Sequence, residues 1–87
     1  MFQNSERKPE IEYPCDWDYK IIGNNVDGIL YAIEDAAHGL DYKVSPSNVS
    51  KTGKYVSINL KVKVENEYVR NSVYSSLDNS ESVIMVL

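Results

Sequence analysis

Between Tyr55 and Val64 apolar and polar residues alternate without interruption. Val56, Ile58, Leu60, Val62 and Val64 fall on one side; Tyr55, Ser57, Asn59, Lys61 and Lys63 fall on the other. A period of two is that of a strand with one dry face and one wet face. The stretch from Cys15 to Ile22 repeats the pattern, with Cys15, Trp17, Tyr19 and Ile21 opposed to Asp16, Asp18 and Lys20. From Val26 the period changes to that of a helix, with an apolar stripe of Val26, Ile29, Leu30, Ile33 and Ala37. Asn25 is placed to cap its start and Gly39 to stop it at C′. Gly28 weakens this helix by about 1 kcal/mol relative to alanine.

The remaining elements follow from the same signals. Tyr42 and Val44 take the inward positions of a short strand, and Pro46, which lacks a backbone donor, suits a sheet edge. Ser50 to Gly53 has the composition of a hairpin tip. Asn66 can cap a second helix with the stripe Val69, Val73 and Leu77. A polar turn from Asp78 to Ser82 leads to a last strand, Val83 to Leu87. The order is strand, helix, strand, strand, helix, strand. One apolar stripe per helix and one apolar face on the third strand predict an α+β, ferredoxin-like βαββαβ plaque. Its four-stranded antiparallel sheet has the order 4-1-3-2, with both helices on one face and the first and third strands central. In that topology Asp16 and Asp18 face the region of Lys63 and Lys61 on the wet side. Such cross-strand pairs contribute roughly 0.2–1 kcal/mol each.

Composition narrows the setting. At 87 residues the chain is expected to form one domain, 14–87, preceded by a poorly ordered tail, 1–13. The single cysteine, Cys15, excludes an internal disulfide. No apolar leader segment opens the chain and no apolar run approaches a membrane span, so a cytoplasmic setting is the expectation. A formal net charge of −4 argues against nucleic acid or an anionic membrane as partner.

The chemistry-bearing residues are few. One cysteine and one histidine cannot make a paired soft-metal site, so no metal or cofactor is expected. The turn after the first strand, Gly23-Asn24-Asn25, lacks the arginine with which an acylphosphatase grips phosphate. Cys15 and His38 can be neighbours in this topology, as thiol and base of a small thiol enzyme. Their plainer reading is a small core residue and a helix-end imidazole. The segment Gly53-Lys54-Tyr55-Val56-Ser57-Ile58 imitates the start of an RNA-binding pattern, but Ser57 stands where a second aromatic is needed. Weak RNA binding through Tyr55 therefore stays an alternative. Two features remain. One is the end of the plaque where Gly23, Asn24 and Asn25 meet the hairpin residues Lys51, Gly53 and Tyr55, a candidate small-molecule site. The other is the last strand. It is apolar on both faces, so Ile84, Val86 and Leu87 are candidate contacts for a partner protein or a second copy of the chain.

The chain resembles the YbeD-like family of small bacterial proteins. The resemblance rests on Tyr13-Pro14, on Trp17 to Gly23, on Ser50 to Ser57, and on the ending Val83-Ile84-Met85-Val86-Leu87. It implies a plaque similar to the ACT-type regulatory domains of amino-acid metabolism. There the turn after the first strand lies at an amino-acid effector site, usually at a domain interface. Gly23, Asn24 and Asn25 occupy that turn here. The family supplies no catalytic residues to carry over. The expectation is a non-enzymatic regulatory or interaction module for a small metabolite, a protein, or both.

Overall fold

A computed structural model describes residues 11–47 and 54–87. The elements are β1 (Cys15–Gly23), α1 (Val26–Ala36), β2 (Tyr42–Pro46), β3 (Val56–Val64), α2 (Glu67–Asp78) and β4 (Val83–Val86). The sheet order is β2-β3-β1-β4, the expected 4-1-3-2 order counted from the other edge, and every pairing is antiparallel. The tail falls largely, and the hairpin tip with Lys51 and Gly53 wholly, outside the described residues.

The alternation does what its period requires. Tyr19, Ile21, Ile58, Leu60, Val62 and Val64 are buried beneath the helices, while Asp16, Asp18, Asn59, Lys61 and Lys63 are exposed on the other face. Asp16 lies opposite Lys63 and Asp18 opposite Lys61, as the wet-face pattern predicts. Both helices are capped by the expected asparagines. The Asn25 side chain accepts from the Gly28 amide at 2.6 Å, and that of Asn66 from the Val69 amide at 2.9 Å. Val73 and Leu77 of α2 are fully buried.

The α1 stripe is rotated from the expected one. Ile29, Ala32 and Ile33 are buried, but Val26 and Leu30 are 44% and 39% exposed. The helix turns its alanines inward and leaves these two at its margin. The cap falls at Ala37, so Gly39, with φ 81°, lies two residues beyond it and turns the chain toward β2. All five residues of β2 are exposed, because Tyr42 and Val44 point to the helix side where no helix reaches.

Close approach explains both glycines at the start of α1. A Cβ on Gly23 would meet the Ser82 carbonyl oxygen and come within 2.8 Å of Ile29. A Cβ on Gly28 would meet the Ser82 hydroxyl and lie 2.7 Å from the Ser82 Cβ. The turn before β4 is thus clamped against the turn after β1. Helix-weakening Gly28 is required by packing, not merely tolerated.

Candidate functional site

The residues expected at a ligand site do converge on one end of the sheet, where they are described. Gly23 pairs with Val56, which sets the β1–α1 turn beside the start of β3 and hence beside Tyr55. Their roles differ. Gly23 is buried and serves the Ser82 contact, Asn25 is engaged in capping, and Asn24 and Tyr55 are exposed. The polar turn 78–82 shares this end but satisfies itself. The amides of Asn79, Ser80 and Val83 donate to Ser75, Leu77 and Ser80 carbonyls, and the Ser82 amide to the Ser80 hydroxyl.

Beside the β1–α1 turn lies a feature that the sequence pattern concealed. Because α1 stops short of β2, a cleft of about 310 Å³ opens between them. Its walls are Val26 and Leu30 of α1, Val44 and Pro46 of β2, and Val56 and Ile58 of β3. Ser45, Ser47 and Ser57 complete the lining. Among the described residues the buried Ser57 hydroxyl has no hydrogen-bond partner. A signal did exist: Val26 and Leu30, four residues apart, widen the apolar stripe beyond what one line of core contacts needs.

The β4 edge requires one correction. Val86 is not a surface contact; it is 8% exposed and packs opposite Ile21. A register shift between Ile22 and Gly23 makes Ile84 an extra residue, so Val83 and Val86 both turn toward the helices. A bulge of this kind breaks the period-two rule from which faces are assigned. Ile84 and Leu87 are exposed as expected, and Met85, opposite half-buried Ile22, joins them.

The catalytic and RNA readings gain no geometry. Cys15 is half-buried and packs on the core. Exposed His38 shares a shallow depression with Tyr31, Glu34 and Asp35 instead. Among the described strand residues none on the open face is aromatic, and exposed Tyr55 precedes β3 on that side. The Trp17 ring, on the helix side, is covered by the Arg70 guanidinium at 4.5 Å. There the Tyr19 hydroxyl donates to the Arg70 carbonyl oxygen at 2.6 Å. Burial pushes the Tyr19 phenol up to about 12, against the opposing pull of Arg70, with Tyr13 adding to the rise. These contacts anchor the start of α2 to β1. Among the described residues no helix is long and apolar enough to cross a membrane, and no cluster could hold a metal ion.

Comparison with known proteins adds kinship. A family model described as "Protein of unknown function (DUF493)" matches residues 8–87. An uncharacterized protein of Helicobacter pylori (strain ATCC 700392 / 26695) is 30% identical over 84 residues, covering 97% of this chain and 98% of the relative. A UPF0250 protein of Shewanella woodyi is 33% identical over 81 residues, covering 88% and 90%. The solution structure of protein HP0495 from H. pylori matches with TM-score 0.84 at 29% identity, over 100% of this chain and 96% of that one. The ACT domain from GTP pyrophosphokinase of Chlorobium tepidum matches with TM-score 0.58 at 17% identity, over 83% and 94%, a likeness of fold alone.

Proposed function

The chain belongs to this YbeD-like DUF493 family of proteins of unknown function, and we propose that it is a non-enzymatic regulatory module that binds a small metabolite and presents its β4 edge to a protein partner. The observation that carries the reading is the cleft between α1 and β2. Its volume of about 310 Å³ lies at the small end of ligand pockets, which run from roughly 300 to 1,000 Å³. Its apolar walls suit the apolar side chain of an amino acid. The ACT-like fold supports the same choice, since the cleft adjoins the β1–α1 turn.

At the opposite edge Ile84, Met85 and Leu87, with Ile22, form an apolar margin beside an edge strand. β4 is joined to α1 through the Ser82 contacts with Gly23 and Gly28. A ligand that shifts the start of α1 acts on β4 through that clamp, which gives two sites one shared element.

Thermal unfolding against the apolar amino acids tests the ligand half. A ligand at ten times its Kd stabilises by about 1.4 kcal/mol, or roughly 6–11 °C for a domain of this size. Leu30→Lys, which places a charge in the cleft, is expected to abolish the shift. A midpoint unmoved by every apolar amino acid at millimolar concentration would refute the ligand assignment.

A further inference from the structure

Charge is sorted between the two layers. Helix α1 carries Asp27, Glu34 and Asp35 and no lysine or arginine. The open face of the sheet carries Lys20, Lys43, Lys61 and Lys63 against Asp16 and Asp18, with exposed Asp41 beside Lys63. The register sets these residues in rows. Asp18, Lys61 and Lys43 form one; Lys20, Asn59 and Ser45 form the next.

Lys43 and Lys61 are direct cross-strand partners. Like charges so placed destabilise a sheet. Within the row their countercharge is Asp18, while Asp16 and Asp41 stand with Lys43, Lys61 and Lys63 around a neighbouring depression. None of these four lysines closes an ion pair within 4 Å among the described residues, whereas Arg70 and Glu67 on α2 do. A shallow depression of about 740 Å³ covers the two rows. Lys20, Lys43 and Lys61 stand around it together with Asp18, with the Asn59 amide and the Ser45 hydroxyl as neutral donors. Three lysines against Asp18 thus give this depression a local excess of positive charge on a chain whose net charge is −4.

We propose that this depression binds a compact multivalent oxyanion, a phosphate ester or a small polycarboxylate, held by Lys20, Lys43 and Lys61. An ammonium is an effective point charge for such groups. A bound oxyanion would also relieve the repulsion between Lys43 and Lys61. The ligand is a small molecule rather than a nucleic acid, because the lysines occupy adjacent rows instead of a track and, among the described residues, no strand residue on this face is aromatic. The site lies on the face of the sheet away from the helices and meets the cleft beside α1 only at β2, where Val44 and Ser45 line both.

The test is a titration of the ¹⁵N-labelled protein with tripolyphosphate and, separately, with citrate, each against sodium chloride of matched ionic strength. Saturable shifts are expected at the amides of Lys20, Lys43, Asn59 and Lys61, and not with chloride. The Lys43→Gln, Lys61→Gln double variant should weaken binding roughly tenfold or more, the loss of a charge-assisted contact. Asp18→Asn should instead tighten it severalfold by removing the one opposing charge in the row. Glu34→Gln on α1 should leave it unchanged. Tighter binding of tripolyphosphate identifies a phosphate-bearing ligand; tighter binding of citrate identifies a polycarboxylate. Shifts that fail to saturate, that chloride reproduces, or that ignore both the lysine and the Asp18 substitutions would overturn the proposal.

Discussion

Gly28→Ala should destabilise this protein, although it replaces glycine by the best helix former. Helix propensity alone favours alanine by about 0.8–1.0 kcal/mol. At this position the added Cβ lies 2.7 Å from the Ser82 Cβ and also meets the Ser82 hydroxyl, besides coming within 3.1 Å of the Asn25 carboxamide oxygen. The hydroxyl can rotate away; the Ser82 Cβ moves only with its backbone. Overpacking of this kind costs about 1–3 kcal/mol, so the net change is a loss of roughly 1 kcal/mol. Urea unfolding followed by the fluorescence of Trp17, the single tryptophan, measures it. Repeating the substitution on a Ser82→Gly background removes both colliding atoms. The penalty should then disappear, giving a coupling of about 1 kcal/mol or more in the double-mutant cycle. A Gly28→Ala variant more stable than the parent by the full propensity gain would show that α1 and the 78–82 turn are not in contact.

Three further outcomes are expected. With its phenol raised to about 12 by burial, Tyr19 keeps its proton in the folded state where the unfolded chain, with an ordinary value near 10, loses it. Its contribution is therefore complete below pH 10 and is lost as pH rises toward 12, a fall of roughly 2–3 kcal/mol that Tyr19→Phe removes; alkaline urea unfolding reads both. Asn66→Ala should cost about 1 kcal/mol through the lost cap on the Val69 amide, measured in the same assay. Iodoacetamide should modify Cys15 no faster than an ordinary thiol, and a markedly faster rate would revive a thiol enzyme.

The fold was legible because its two central strands have one wet and one dry face each, and period two is the least ambiguous pattern a sequence offers. The same pattern placed Asp16 and Asp18 opposite Lys63 and Lys61. Legibility ended where packing joins residues distant in sequence. Nothing near Gly28 announces Ser82, and nothing near Tyr19 announces Arg70, 51 residues away. β4 is apolar at every position, so it carries no phase, and the bulge at Ile84 turned Val86 inward against expectation. Val26 and Leu30 read as core because a helical stripe does not show how far the neighbouring strand extends beyond it. That unfilled margin is the cleft.

Isothermal titration of the protein with leucine, valine and isoleucine, alongside Leu30→Lys and Val44→Lys variants, is the most direct test of a metabolite-binding module. Saturable heat at one equivalent, lost in both variants while their unfolding midpoints stay near the parent's, is the predicted result. No heat with any of the three, or equal heat in the variants, would mean that the space between α1 and β2 is only a packing defect.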